Sequence, residues 1–274
     1  MDFQTRVKNH LGTYKCNVMG VAEAGIFNYQ GKEYYLDYIL PLDNKELNIM
    51  EKYRQDFFDS KYKNIKFHRY FHHLNSSQAM CINFFYPLIK EKKLEDIIRL
   101  IGLNGEVDYE NVAFEKESTI EKGNERKTNF DFYIPLKSGK QVFFEIKYTE
   151  REFGKALKDN DHSKKYHNTY EPILDKNQAI KEKAKNEEFF LDNYQIMRNL
   201  LHIDNDSYVV FVYPEGNKKI RTTALSARDD VLEQQCKNRF ILLRWEELTK
   251  KLVETVDPSL HDYFEEFWLK YLNY

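Results

Sequence analysis

Glycine and proline are scarce in this chain of 274 residues, at ten and six, and cysteine occurs three times. So little turn punctuation argues for long elements and excludes collagen-like and low-complexity classes. Cys16, Cys81 and Cys236 are far apart, form no Cys-x-x-Cys and are odd in number, which fits a reducing, cytoplasmic compartment better than a disulfide framework. Net charge of one sign is also missing: 42 Lys and Arg face 44 Asp and Glu, a formal charge of -2. No overall field draws the protein onto a polyanion or a membrane surface, so any such contact needs a local patch. The longest apolar runs, such as 208–213, are strand-sized, and the first ten residues, with Asp2, Arg6 and Lys8, lack the apolar core of a secretory signal. G-x-x-x-x-G-K-[ST], G-x-G-x-x-G and G-x-S-x-G are all absent, which sets aside P-loop, dinucleotide and serine-hydrolase chemistry.

What is present is apolar and aromatic. Hydrophobic residues make up 42% of the chain, with twenty Tyr and twenty Phe, enough for one large domain or a domain with an appendage. Residues 14–42 alternate aromatic and polar around Gly20, Gly25 and Gly31, which predicts short strands or an irregular cap. Helical spacing follows over 42–58, with Asp43 as N-cap, over the stretch opened by Ser76, and over 94–100. Strand patterns occupy 112–116, 129–136 and 141–148, and further buried strands are predicted at 208–213 and 240–244. A long helix is predicted over 179–201, one or two closing helices over 246–271, and a mobile or ligand-ordered loop over 155–165. This order implies an α/β fold, with a central mixed β-sheet flanked by helices.

The chemistry concentrates in Thr128-Asn129-Phe130-Asp131-Phe132-Tyr133-Ile134 and Val142-Phe143-Phe144-Glu145-Ile146-Lys147-Tyr148. Residues two apart on a strand share a face, so Glu145 and Lys147 point together, while Asp131 points away from both Phe130 and Phe132. A three-residue hairpin loop, Lys137-Ser138-Gly139 with Gly139 left-handed, centres the pairing on Ser138 and sets Asp131 across from Glu145. Two facing carboxylates repel by roughly 3 to 4 kcal/mol at an effective dielectric of about 20. A divalent cation relieves that repulsion, and hard oxygen ligands with an open side suit Mg²⁺. Lys147 then stands where it can hold the attacking water and neutralise a phosphoryl group, which makes the trio a metal-assisted phosphodiester hydrolysis site. The bland alternative is a surface cross-strand salt bridge. An acid, any residue and a lysine also occur at Asp43/Lys45, Asp59/Lys61, Glu91/Lys93 and Glu125/Lys127, but only Glu145/Lys147 is set in an apolar strand.

The run from Phe130 to Gly154, FDFYI followed by FFEIKYTEREFG, resembles the PD-(D/E)xK superfamily of restriction-endonuclease-like nucleases, in particular a bacterial restriction-endonuclease branch. The stretch from Ser76 to Asn83, Glu115 and the Arg198-Asn199 pair are similar to that branch too. The resemblance implies a restriction-endonuclease-like domain over 71–274 behind an N-terminal extension over 1–70. It implies Asp131, Glu145 and the Ile146 carbonyl as ligands to Mg²⁺ or Mn²⁺, with Lys147 as the catalytic lysine. Phe130 replaces the motif's proline. Many superfamily members also place an acid on the helix before the strands, where this chain has Gln78 and Asn83, so Glu115 or Glu117 is the substitute to consider. The activity implied is a metal-dependent DNA endonuclease of antiviral defence or DNA processing, acting alone, as a homodimer or with a defence-system partner. The competing reading is a catalytically inactive module on the same scaffold that binds nucleic acid or protein.

Other features carry less. Lys155, Lys158, Lys164 and Lys165 are candidate phosphate contacts or a solvated loop, and Lys218, Lys219 and Arg221 form a second such patch. His68 and His72 are four apart, but without further ligands they read as a helix or loop face. Tyr166, Tyr170 and the other aromatics could stack on bases, with core packing the default for any one of them.

Overall fold

Asp2 starts the first helix, Phe3–Asn17, by accepting a hydrogen bond from the Thr5 amide at 2.7 Å. The computed structural model to which this helix belongs describes residues 1–123 and 126–274, so Glu125 of the fourth acid-x-lysine tripeptide lies outside the described residues. The chain divides into two compact units, residues 1–104 with 245–274, and residues 105–244. The segment 1–70 therefore shares a unit with the helix opened by Ser76 and with the C-terminal helices.

In the first unit the helix Phe3–Asn17 replaces the irregular start expected near Tyr14; Val7, Leu11 and Tyr14 are its buried stripe. The predicted short strands begin later, as β1 (Gly25–Tyr29) and β2 (Lys32–Leu36), joined through Gln30 and Gly31 at φ 50° and 75°. Two central residues with positive φ are the hairpin turn that matches strand twist. The helix predicted over 42–58 is broken. Leu42–Asn48 is 3₁₀, Ile49 and Met50 are extended, and Glu51–Asp59 is α-helical, and the N-cap positions fall on Pro41 and Met50 and not on Asp43. Asn83 causes the break, since its Oδ1 takes the Met50 amide at 2.9 Å. Ser77–Lys90 and Leu94–Leu100 form as predicted, the former capped by Ser76. The closing helices are Trp245–Val253 and Pro258–Tyr271, and Phe84 packs its ring on Trp245, Phe264 and Phe267 at 4.9, 5.5 and 5.3 Å.

The second unit carries the sheet. β3 (Ala113–Glu117), β4 (Asn129–Pro135) and β5 (Gln141–Ile146) run antiparallel, and β6 (Ser207–Tyr213) and β7 (Phe240–Arg244) continue in parallel, in spatial order β3-β4-β5-β6-β7. The fold is α/β with a mixed five-stranded sheet, as the sequence predicts. Phe143, Val209 and Phe211 pack from it against Phe190, Ile196, Met197 and Leu200 of the helical layer. The long helix predicted over 179–201 is a correction: the chain makes a 3₁₀ turn, Glu182–Ala184, then two short helices, Glu187–Asp192 and Tyr194–Leu200. Asparagines divide it. Asn177 Oδ1 takes the Ala179 and Ile180 amides, Asn186 Oδ1 caps at the Phe189 amide, and Asn193 leaves helical geometry at φ -120°, ψ 31°. Short amide side chains offer the backbone a local partner that competes with the helix. The loop expected over 155–165 is helical from Asn160 to Lys165, capped by Asp159.

Lys270 is buried in the first unit, donating from Nζ to the Asn48 carbonyl at 2.8 Å. Burial pushes its ammonium down to about 7, against the pull of Glu266. The unfolded chain keeps a proton that the folded chain sheds, so this group makes stability rise with pH from about 7 to the ordinary lysine value of about 10.5. Lys270→Met should flatten that slope by up to about 1 kcal/mol per pH unit, read from urea unfolding across the range. An unchanged slope would mean that the folded protein keeps the charge.

Candidate active site

The turn between β4 and β5 has the predicted geometry. The Leu136 amide donates to the Lys140 carbonyl at 2.8 Å, and Gly139 sits at φ 89°. Phe132 pairs with Phe144, Tyr133 with Phe143, Ile134 with Val142 and Pro135 with Gln141. Continued by one step, this register sets Asp131 across from Glu145. There the regular ladder stops, and Asp131 Oδ2 takes the Ile146 amide at 2.6 Å in place of a main-chain acceptor.

The simple alternation expected around Asp131 does not hold. Phe132 packs on Phe114 and Phe144 at 4.9 and 6.0 Å, whereas Phe130 packs on Phe143 and the His202 ring at 4.7 and 4.8 Å. Phe143 and Phe144 are strand neighbours and face opposite ways, so Phe130 and Phe132 do too. β3 shows the matching irregularity: Glu115, across from Asp131 in the β3–β4 register, has φ 53°. A left-handed residue inside a strand is strained unless it is glycine.

Glu145 and Lys147 are each 4% exposed and lie on one side of β5, with Nζ 2.8 Å from Oε1. The helix Tyr194–Leu200 brings two amides to the same carboxylate. Gln195 Nε2 donates to Oε1 at 2.8 Å and Asn199 Nδ2 to Oε2 at 3.0 Å. The orientation of Gln195 is set by its other end, where Oε1 accepts from the Gly154 amide at 3.0 Å. Beyond Lys147, Glu150 takes the Tyr148 amide at 2.6 Å, and Asn217 Nδ2 donates to the Tyr148 and Glu150 carbonyls at 3.1 and 2.9 Å. Sequence reading missed Gln195 and Asn217 and had Asn199 only through resemblance; the i, i+4 amide pair on one helix face was the available signal.

Electrostatics tie the group together. Burial, then the charges of Glu145 and Glu115, hold the Asp131 carboxyl well above the usual carboxylate range, against the Ile146 amide and Lys147. For Lys147 burial pulls the ammonium down, but Glu145, Glu150 and Asp131 outweigh it and hold the group above its ordinary value. Glu115 thus bears on Asp131, and Asn129 Nδ2 donates to its carboxylate. Glu117 lies two register pairs further along, opposite Asn129, and is exposed.

Several of the remaining candidates bond to other groups. In the first unit Gln78 takes the His68 amide at 2.8 Å and donates to the Lys66 carbonyl, and Asn83 bonds Met50, Asn48 and Tyr271. Lys158 pairs with Asp192 at 3.2 Å, Lys165 donates to the Arg126 carbonyl, and Lys155 and Lys164 are exposed. Lys219 pairs with Glu152 at 3.0 Å.

A family model described as Restriction Endonuclease associating with ARP matches residues 8–272. The chain belongs to this restriction-endonuclease family. No curated protein and no solved structure matches it.

In this member of the family, no three His, Cys, Asp or Glu side chains gather as a ready metal cage among the described residues. The donor set still fits a hard divalent cation. Mg²⁺ is commonly held by one or two carboxylates plus waters and substrate phosphate, and the raised Asp131 carboxyl marks a place where positive charge is favoured. The sign for stability follows. A carboxyl whose folded value is raised favours folding only below its ordinary range and costs stability once pH is high enough to ionise it. Asp131→Asn keeps an acceptor for the Ile146 amide and drops the charge, so without metal at neutral pH it should stabilise by about 1 kcal/mol or more. Thermal melts in EDTA check this; a variant that melts lower would show that the carboxylate is not under strain.

Proposed function

We propose that the chain is a metal-dependent endonuclease of the PD-(D/E)xK type that hydrolyses DNA phosphodiesters. The observation that carries this reading is the register-matched meeting of Asp131, Glu145 and Lys147, with the Asp131 carboxyl pushed up by its neighbours. Asp131, Glu145 and the Ile146 carbonyl would hold Mg²⁺ or Mn²⁺. Such an ion supplies Lewis-acid activation of water and screening of phosphate charge. Lys147 orients the attacking water and offsets charge growing on the phosphoryl oxygens, while Gln195 and Asn199 hold the Glu145 carboxylate in place. The family resemblance extends the proposal to a cytosolic enzyme of bacterial defence or DNA processing. The family's description as associating with ARP supports a partner protein, the alternative to a homodimer, in its working assembly.

A second reading, an inactive nucleic-acid- or protein-binding module, has one observation in its favour. Lys147, Gln195 and Asn199 take three of the roughly four acceptor positions of Glu145. Two measurements separate the readings. Supercoiled plasmid should be nicked or linearised in Mg²⁺ or Mn²⁺ and left intact in EDTA, and Lys147→Ala should lose at least about a hundredfold in rate with an unchanged circular dichroism spectrum. Titration calorimetry should show Mn²⁺ binding that disappears in Asp131→Asn/Glu145→Gln. Cleavage by Lys147→Ala at the wild-type rate, or no metal uptake by the wild type, refutes the enzyme.

A further inference from the structure

The forty Phe and Tyr are distributed unevenly between core and surface. Among the described residues the exposed aromatics are Tyr29, Tyr34 and Tyr35, at 54, 43 and 67%, and all three lie on the β1–β2 hairpin with Ile26. The register pairs Phe27 with Tyr34 and Tyr29 with Lys32, which puts these four on one face; Ile26, Tyr35 and Glu33 take the other. Phe27 lies nearly parallel to Tyr29 at 6.1 Å and 13°, and its far edge meets Tyr70 at 5.6 Å. The Arg69 guanidinium covers the Tyr70 ring at 4.4 Å. The result is a run of rings with a cation at each end, Lys32 and Arg69, and with the hairpin's only acid, Glu33, turned away.

The platform is held rigid from below. The Gly25 amide donates to the Ile39 carbonyl at 2.9 Å, and a Cβ at Gly25 would run into the Leu40 carbonyl and the Ile39 side chain. Buried Lys15 donates to the Ile39 carbonyl at 3.1 Å. A two-stranded hairpin is marginal alone, so these anchors fix an aromatic surface that no folding requirement places in water.

We propose that the Phe27–Tyr29–Tyr34 face is a stacking platform for an unpaired nucleic-acid strand. Bases stack on exposed rings whatever their sequence, and flanking cations meet the phosphates. Bases within a duplex are already stacked on each other, so the platform selects single strands, flaps or unpaired ends. Charge complementarity favours this occupant over an acidless apolar one, because both charges on the face are positive. The proposal deepens the nuclease reading by naming a substrate feature, and it rests on that reading only for its use.

Fluorescence anisotropy with the full chain in EDTA tests it, using labelled oligo(dT), oligo(U) and a DNA duplex of equal length. A single strand should bind at least about tenfold tighter than duplex, and the preferred sugar assigns DNA or RNA as the strand. Tyr29→Ala/Tyr34→Ala should lose about tenfold to a hundredfold in strand affinity, Tyr29→Phe/Tyr34→Phe should retain it, and Tyr35→Ala on the opposite face should bind like wild type. Equal affinity for strand and duplex overturns the platform, as does a double alanine variant that binds like wild type while keeping the wild-type circular dichroism. So does a self-association in sedimentation that the alanines abolish in a protein without strand affinity, since the face would then be an interface between copies. The outcomes separate from those of the nuclease: failed binding leaves the cleavage centre standing, and wild-type cleavage by Lys147→Ala leaves the platform standing.

Discussion

A buried lysine–glutamate pair beside a second carboxylate is the constraint around which residues 105–244 are arranged. Removing two charges from water costs several kcal/mol per ion before any attraction is counted, and a well-packed apolar pair would be as stable or more so. The Glu145–Lys147 pair is therefore poorly explained as a device for stability. Its surroundings compensate the cost group by group. Gln195 and Asn199 donate to Glu145, three acids face Lys147, and the Ile146 amide donates to Asp131. The short helix Tyr194–Leu200 exists in the register that delivers both amides because Asn193 ends the helix before it.

Backbone irregularity falls at the same place. Glu115 and Asp131 are directly across from one another, and there β3 leaves allowed strand geometry while β4 reverses its face alternation. A left-handed non-glycine costs on the order of 1–3 kcal/mol. It sits where two carboxylates would otherwise be set side by side by an unbroken ladder. The interruption frees the Asp131 side chain to reach across to β5 and engage the Ile146 amide. Strain and like-charge repulsion thus meet at one point of the sheet, and a binding partner of opposite charge would relieve the second.

The β4 and β5 strands were legible because a single charged residue interrupts each apolar run and their turn is chemically specific. Gly139 in a three-residue loop sets the β4–β5 register, and that register alone places Asp131 against Glu145. Helices were less legible where asparagine intervenes. Apolar spacing over 179–201 is helical, yet Asn186 and Asn193 each bond or bend the local backbone, and Asn83 reaches from another helix to break 42–58. That last effect is tertiary and has no local signal. The face reversal at Asp131 was illegible for the same reason, since it depends on the backbone of Glu115, sixteen residues earlier in a strand of ordinary composition.

Near-neutral charge bears on how such a chain could hold a polyanion at all. In the basic stretch after the lysine motif Lys158 is paired with Asp192 and Glu188 and Lys165 donates to a main-chain carbonyl, while Lys155 and Lys164 are exposed. Affinity built from phosphate contacts alone falls steeply with salt and needs several unpaired cations together. Stacking has neither requirement, and the aromatic residues described here are disposed as if for it: buried or half-buried elsewhere, and exposed on one anchored hairpin, where Tyr29 and Tyr34 share a face. In a protein without a basic field, rings in water with a cation at each end are the economical way to grip a strand whose bases are free.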